Sequence, residues 1–169
     1  TKGTVSKVKV FIYPNLQKTH SYNCTKDVSS ILSSLGCEII MTDSISPELS
    51  QGCIIADSIE QAIKTCDVII TIGGDGTILK IASEAADNDK KLLGVNCGRL
   101  GFMASLERDD LDRLSNLVSG DYKTESRMML EALIERKSGL RERVTALNDI
   151  VITHGFNYNI NDFTVLADG

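Results

Sequence analysis

The sequence predicts an α/β domain with a parallel sheet, followed by the first part of a β-rich second domain. Over residues 1–122, short apolar runs rich in β-branched residues alternate with segments of helical period. This alternation is typical of a parallel sheet that is covered by helices on both faces. After Gly120-Asp121 the segments are predicted only as strands, so the second domain is placed at residues 123–169.

Local patterns predict four strands and four helices in the first domain. The strand runs are continuously apolar rather than alternating, which indicates burial on both faces. The longer helices have apolar residues three and four apart, and Gly36 is the expected cap at the end of the first helix. The predicted strands are Val8–Tyr13, Glu38–Thr42, Val68–Ile72 and Leu92–Val95, and the predicted helices are Thr19–Leu35, Ser58–Thr65, Ile78–Ala86 and Asp109–Val118.

The second domain is predicted to contain three strands, at Met128–Arg136, Arg143–Thr153 and Phe163–Leu166. Ser138-Gly139 provides the turn of a hairpin between the first two. Three strands leave an exposed edge and bury little apolar surface. We therefore expect further sequence to belong to this domain.

Composition excludes several classes of partner. The 169-residue chain has a net charge of -5 and a pI near 5.0, which does not favour DNA, RNA or anionic membranes. Four Phe, four Tyr and no Trp offer few surfaces on which nucleic-acid bases could stack. No apolar run approaches the ~20 residues of a membrane span. We expect a soluble, cytoplasmic protein that binds neither nucleic acid nor membrane.

Cysteine spacing argues against a disulfide framework and against a zinc site. The five cysteines are an odd number, and no two are spaced as C-x-x-C. Cys37, Cys66 and Cys97 adjoin apolar runs and are interpreted as small core residues in a reducing compartment. His20 and His154 lie far apart without a ligand pattern, so neither is predicted to bind a metal ion.

The segment with the clearest pattern of a ligand-binding site is Gly73-Gly74-Asp75-Gly76-Thr77, where a predicted buried strand is followed by a helix. The glycines lack Cβ atoms, so a phosphate or ribose can approach the backbone. The first amides of the following helix favour an anion. A carboxylate repels phosphate, so Asp75 is better suited to a hydroxyl or a metal ion. The pattern therefore predicts phosphoryl transfer to an alcohol, whereas a turn residue that binds local amides is the alternative for Asp75.

Three motifs together resemble those of the NAD kinase family, in the family's order. They are Gly73–Thr77, the N-x-G-x-L-G-F segment within Gly94–Phe102, and Leu147–Ile152 with its Asn148-Asp149 pair. Arg127–Ala132 also looks like the strand that opens the family's second domain. G-G-D-G-T alone is weak evidence, because lipid kinases and 6-phosphofructokinases resemble it there. The resemblance extends from about Val8 to Gly169.

The resemblance implies transfer of the γ-phosphate of ATP to the 2′-hydroxyl of the adenosine ribose of NAD, which gives NADP. A divalent cation, expected to be Mg²⁺, would neutralise the transferring group, without a metal site of the protein's own. Asp75 would be the catalytic base. The implied NAD-binding residues are Asp75, Gly76, Lys80, Phe102, Asn148 and Asp149, and the implied ATP and phosphate contacts are Gly73, Gly74, Gly76, Thr77 and Asn96. A homodimer or homotetramer is expected.

Each of the other implied roles has a simpler structural alternative. Phe102 would pack on the dinucleotide or else be a core aromatic, and Lys80 would neutralise phosphate or else be an ordinary exposed lysine. Asn96 could instead cap its turn. Asn148 and Asp149 interrupt an apolar strand, Ala146–Ile152, where polar side chains are costly unless partnered, so hydrogen bonding to the dinucleotide is preferred over a bulge.

The chain departs from the family pattern in its last part. Thr153-His154-Gly155 stands where the family has H-R-G or similar, and Asn159 replaces a common basic residue. The G-D-G segment and T-G-S-T-A-Y loop that complete the family's pocket are not in the chain, which predicts weak activity or none for the chain alone. The missing loops favour the alternative of a non-catalytic nucleotide-binding module. The G-G-D-G-T motif leaves a second enzyme alternative, a lipid kinase of the diacylglycerol or sphingosine type.

Overall fold

The computed structural model describes residues 7–17, 19–98, 101–153, 162 and 164–167. The chain divides into two compact units, residues 1–128 and 129–169. The first is an α/β unit with a parallel sheet, and the second contains a small antiparallel sheet. The predicted fold class is thus confirmed.

The first unit has a six-stranded sheet with helices on both faces. Its strands are β1 (Lys9–Pro14), β2 (Glu38–Thr42), β3 (Ile54–Ala56), β4 (Val68–Gly73), β5 (Lys91–Asn96) and β6 (Leu106–Glu107). Its helices are α1 (Thr19–Ser34), α2 (Ile59–Thr65), α3 (Asp75–Asp87) and α4 (Ser115–Ser119), and a 3₁₀ segment (Arg108–Leu114) precedes α4. The short strands β3 and β6 were not predicted from the sequence.

The strand order is β3-β2-β1-β4-β5-β6, and every neighbouring pair is parallel. From β1 the chain proceeds to one side of the sheet, whereas from β4 it proceeds to the other. Such a reversal opens a crevice beyond the carboxyl ends of the two central strands. Pro14 of β1 is paired with Ile72 of β4, and the Asn15 amide donates to the Ile72 carbonyl at 2.8 Å. The crevice therefore lies beside Gly73 and the residues that follow it.

The core lies on both faces of this sheet, as the continuous apolar runs predict. Every residue of β4 is buried, and successive side chains alternate between two apolar clusters. Ile70 and Ile72 face the cluster that contains Leu32 of α1. Ile69 faces the cluster that contains Ile81 of α3. A strand buried on both faces has a nearly fixed position, which in turn fixes the loop at its end.

The ends of three predicted helices can be compared with the structure. Gly36 adopts a left-handed conformation (φ +81°) and the Cys37 amide donates to the Leu32 carbonyl, so the predicted C-cap of α1 is confirmed. α3 begins at Asp75 rather than at Ile78, so that the acidic residue lies in the first helical turn. The predicted helix Asp109–Val118 is instead the 3₁₀ segment followed by α4.

The second unit contains the hairpin β7 (Leu130–Glu135) and β8 (Arg141–Ala146). Gly139 has φ +83° and donates to the Arg136 carbonyl, which confirms the predicted Ser138-Gly139 turn. Arg141–Glu135 and Arg143–Glu131 ion pairs lie on one face of the hairpin. The apolar side chains of the other face alternate with them, as the period of a strand requires.

The prediction of a strand from Arg143 to Thr153 is wrong beyond Ala146. Ala146 is paired with Leu130, where β7 begins, so later residues have no partner in this ladder. Thr164–Leu166 has no regular secondary structure, and Phe163 lies outside the described residues. None of the helices in the described ranges is long and apolar enough to cross a lipid bilayer.

Candidate active site at the carboxyl end of the parallel sheet

The glycine-rich segment joins the central strand β4 to the first turn of α3. Gly74 is the N-cap residue and makes no side-chain capping bond, so the first amides of α3 are not covered by a cap. At Gly73 a Cβ would lie 3.2 Å from Cβ of Asn15 and would collide with Thr77. Gly74 and Gly76 have no such neighbours. Packing therefore requires a glycine at residue 73, whereas Gly74 and Gly76 leave open space at the carboxyl end of the sheet.

The Asp75 carboxylate binds a segment distant in the sequence. One carboxylate oxygen accepts the Phe102 amide at 2.9 Å, and the other accepts the Met103 amide at 3.1 Å. The alternative of a turn residue that binds local amides is therefore wrong, because both donors lie in the loop after β5. A carboxylate has about four lone-pair positions, so each oxygen can still accept one further hydrogen bond.

Gly101 allows this contact. A Cβ at residue 101 would lie 2.9 Å from Cγ of Asp75 and closer still to one carboxylate oxygen. No rotation of a methyl group relieves such a contact, so an alanine at 101 requires the loop or the carboxylate to move. The first and second sequence motifs are thus in direct contact.

The Asn96 side chain forms hydrogen bonds within the protein. It is buried, its Oδ1 accepts the Gly98 amide at 3.2 Å, and its Nδ2 donates to the Glu107 carboxylate at 3.1 and 3.2 Å. The turn-capping alternative is confirmed, and a contact between Asn96 and phosphate stays a prediction. Sequence analysis missed Glu107, because its partner is set by the pairing of β5 with β6 rather than by local spacing.

Thr77 carries a polar atom without a partner. Its side chain is buried, and Oγ1 has no hydrogen-bond partner among the described residues. The Thr77 amide donates to the Gly74 carbonyl at 2.8 Å, which tightens the first turn of α3. Buried hydroxyl groups are normally satisfied, so an unpaired one at this helix start is a candidate ligand contact.

Comparison with known proteins identifies the family of this chain. The family description "ATP-NAD kinase N-terminal domain" matches residues 10–122. The chain belongs to the NAD kinase family. It is 37% identical over 151 residues to the NAD kinase of Natranaerobius thermophilus, covering 86% of this chain and 51% of that protein. It is 33% identical over 138 residues to the NAD kinase of Erwinia tasmaniensis, covering 81% and 47%.

A solved structure has the same fold. The crystal structure of yeast NADH kinase complexed with NADH superposes with a TM-score of 0.69 at 21% identity, covering 84% of this chain and 47% of that one. The chain therefore spans about half the length of these two NAD kinases and of the yeast protein.

Phe102 is 98% exposed, so the core-aromatic alternative is wrong. Its ring presents an apolar face to solvent, where a ligand has access to it. Lys80 and Gly76 of α3 are also exposed. Phe102 thus combines an exposed side chain with a backbone amide that holds the Asp75 carboxylate.

Asn148 and Asp149 are not in a strand and are exposed, so the argument from polar side chains inside an apolar strand is wrong. The Asn148 side-chain amide donates to the Asp149 carboxylate at 2.9 Å. The two residues belong to the second unit, and a contact with the dinucleotide stays a prediction. Of the residues that depart from the family pattern, Thr153 is described, whereas His154, Gly155 and Asn159 lie outside the described residues.

The interpretation of Cys97 as a small core residue in a reducing compartment is wrong, because this cysteine is bonded. Cys24 and Cys97 form a disulfide, although 73 residues separate them. Cys37, Cys53 and Cys66 are free, and burial raises the pKa of each of these thiols. Cys spacing could not reveal the bonded pair, because the contact depends on how α1 packs beside the end of β5.

Proposed function

We propose that this chain contributes the nucleotide-binding domain and the start of the second domain of an NAD kinase. The reaction transfers the γ-phosphate of ATP to the 2′-hydroxyl of the adenosine ribose of NAD and yields NADP. The observation that supports it best is the position of the Asp75 carboxylate, at the first turn of α3 and between open glycine backbone and the exposed Phe102. Family membership supports the same reaction.

Phosphate groups of ATP would bind at the start of α3. Amides near a helix N-terminus attract anions through both hydrogen bonding and the helix dipole. The absence of side chains at Gly74 and Gly76 leaves room for this approach. The unpaired hydroxyl of Thr77 would donate to a phosphate oxygen, since it lacks a partner in the described protein.

Asp75 would act as the general base toward the ribose. Its carboxylate accepts two backbone amides, which fix its orientation, and the remaining lone pairs can accept the 2′-hydroxyl proton. Proton removal requires an approach of about 2.6–3.2 Å between the two oxygens. The ribose oxygen then attacks the γ-phosphorus, the bond to the bridging oxygen breaks, and ADP leaves.

Phe102 would pack against the dinucleotide, and Lys80 would neutralise part of its pyrophosphate charge. Both side chains are exposed, and Phe102 directly follows the glycine that contacts Asp75. Gly76 would contact the dinucleotide through its backbone. Asn148 and Asp149 of the second unit would hydrogen-bond the ribose or the adenine, since both are exposed polar residues.

A divalent cation fits this site as a companion of ATP. No group of three His, Cys, Asp or Glu side chains within the described ranges could hold a metal ion. Mg²⁺ commonly binds through substrate phosphates with few protein ligands, so this donor set suits a Mg–ATP complex. When bound, the ion neutralises charge that develops on the transferring phosphoryl group.

We also propose a cytoplasmic location and assembly into a homodimer or homotetramer. Exposed apolar residues of the second unit, including Leu133 and Val151, support such an assembly or coverage by further sequence. Analytical ultracentrifugation of the complete gene product would distinguish a dimer or tetramer from a monomer.

The reaction is tested by following NADP formation from NAD and Mg–ATP with the complete gene product. Asp75→Asn should lower kcat by roughly 10²–10⁴-fold if the carboxylate is the base. Asp87→Asn, at the other end of the same helix, is the matched control and should leave kcat unchanged. NAD binding is measured separately by calorimetry. Full activity of Asp75→Asn would contradict the assignment, and phosphorylation of a sphingoid base instead of NAD would contradict the reaction.

A further inference from the structure

We propose that Cys24 and Cys97 form a reversible thiol–disulfide couple that controls how firmly the loop after β5 is held, with a small disulfide such as oxidised glutathione as the oxidant. The loop is defined here by its described residues 97–98 and 101–103. Its effect on dinucleotide binding rests on the proposed function. The couple itself does not.

The two cysteines are placed for a bond. Their Cα atoms are 6.4 Å apart, inside the range of about 4.4–6.8 Å that disulfides adopt. Cys24 is on α1, and Cys97 directly follows the last residue of β5. Both belong to the apolar cluster on the α1 face of the sheet, so packing brings them together even when they are reduced.

Their exposure differs, which assigns a role to each sulfur. Cys24 is completely buried, whereas Cys97 is partly exposed. An external thiol or disulfide can therefore reach Cys97 but not Cys24. Cys97 exchanges with solvent reagents, and Cys24 is the partner that closes the bond or leaves from it.

The chemistry balances with glutathione alone. The Cys97 thiolate attacks one sulfur of oxidised glutathione, breaks its S–S bond and releases one glutathione thiolate. The Cys24 thiol then loses its proton and attacks the Cys97 sulfur of the mixed disulfide, which releases the second glutathione. Two cysteine thiols are thereby oxidised, and one oxidised glutathione is reduced to two thiols.

The other described cysteines are poor competitors. Burial raises the pKa of Cys37, Cys53 and Cys66, so less of each is the reactive thiolate at neutral pH. None of the three is in a disulfide. If the protein is cytoplasmic, a disulfide there is typically transient and redox-sensing. Cys24 and Cys97 are thus the pair that geometry, rather than thiol acidity, selects among the described cysteines.

Oxidation would tie the site loop to α1. The Cys97 amide donates to the Gly73 carbonyl at 3.1 Å, next to the glycine-rich segment. Further along the same loop, the Phe102 and Met103 amides hold Asp75. A covalent bond at residue 97 restricts the start of this loop, so the oxidised form should hold Asp75 more firmly. Reduction leaves only hydrogen bonds and packing at that point.

The first test needs no catalysis. The 169-residue chain is equilibrated with mixtures of reduced and oxidised glutathione, free thiols are alkylated, and peptides are quantified by mass spectrometry. We expect a reversible two-electron transition in which a peptide pair linked through Cys24 and Cys97 appears. No such link at any ratio, or a link that excess reduced glutathione never opens in the folded protein, would overturn the couple.

The second test measures the loop. Hydrogen exchange at the Phe102 and Met103 amides should become about tenfold faster or more after reduction. A disulfide that joins residues 73 positions apart in the sequence stabilises the folded state by more than the free energy that corresponds to a tenfold change. Cys24→Ala should exchange fast under both conditions. Cys66→Ala, which removes a buried cysteine outside the bond, is the control and should respond to redox state like the parent chain. Equal exchange in both redox states of the parent chain would refute control of the loop.

The third readout separates this proposal from the proposed function. In the active protein, reduction should raise KM for NAD, and Cys24→Ala should abolish the difference between redox states. If no kinase activity exists, the mapping and exchange results still decide the couple. If the kinase is active and KM for NAD is the same in both redox states although the redox transition is confirmed, the couple does not act on the site.

Discussion

Gly101 lies against the Asp75 carboxylate, so close that a Cβ at residue 101 would be 2.9 Å from Cγ of Asp75. The amides of the next two residues donate to the same carboxylate. The loop after β5 therefore sets the orientation of the proposed base. This contact connects two motifs that the sequence shows only as separate strings.

Gly101→Ala should impair catalysis more than folding. The added methyl group must displace the carboxylate or the loop, and a displacement near 1 Å can cost about 10²-fold in rate. We expect kcat/KM for NADP formation to fall by that order. Gly98→Ala is the matched control in the same loop, because a Cβ there meets no atom within 4 Å. Equal activity of the two variants would show that the Asp75 contact is not required.

Gly73→Ala and Gly76→Ala should have opposite effects on stability. A Cβ at Gly73 collides with Thr77 and approaches Asn15, and overpacking of this kind costs typically 1–3 kcal/mol in the free energy of unfolding. Gly76 is exposed in the first turn of α3 with open space around it, and replacing a helical glycine by alanine gains up to about 1 kcal/mol.

The kinetics of Gly76→Ala should not follow its stability. The methyl group of Gly76→Ala would occupy the space proposed for the dinucleotide, so KM for NAD should rise although the protein is more stable. Urea denaturation and steady-state kinetics on the same preparations provide the two measurements. An unchanged KM in Gly76→Ala would place the dinucleotide elsewhere.

The fold was largely predictable because its strands are continuous apolar runs. β4 is buried along its whole length, and its position in the sheet's centre follows from that composition. The start of α3 was placed too late, since glycine disfavours helix and the contacts of Asp75 with the distant loop, which hold this first turn, leave no local signal. The end of β8 was placed too late because a strand also needs a partner, and Leu130 begins the partner strand.

The site was predictable only where chemistry and local spacing coincide. Asp75 within its glycines carries a pattern that sequence reasoning can recognise. Glu107, by contrast, lies in a charged stretch that is typical of a solvated helix start. Its contact with Asn96 follows from the register of β5 and β6, as the Cys24–Cys97 bond follows from the packing of α1. Such long-range pairs leave no local signal in one sequence.

Phe102→Ala should weaken dinucleotide binding without changing stability. The side chain is 98% exposed, so its removal should alter the free energy of unfolding by less than about 0.5 kcal/mol. If the ring packs on NAD, Kd should rise by roughly tenfold, which corresponds to the loss of about 1.4 kcal/mol. Met128→Ala removes another side chain that is 85% exposed and should leave Kd unchanged. Isothermal calorimetry gives both values, and an equal Kd for Phe102→Ala would remove this residue from the site.

Glu107→Ala should destabilise the loop through Asn96. The Asn96 side-chain amide is buried and donates to both oxygens of Glu107, so removal of the carboxylate leaves a buried donor with poorer partners. Loss of such a partner costs about 1–3 kcal/mol in the free energy of unfolding. Glu107→Gln retains an acceptor oxygen and should recover most of this loss, whereas Asp109→Ala, an exposed neighbour, should cost little. Urea denaturation ranks the three variants, and a Glu107→Gln variant as unstable as Glu107→Ala would show that charge rather than the hydrogen bond to Asn96 is what the loop requires.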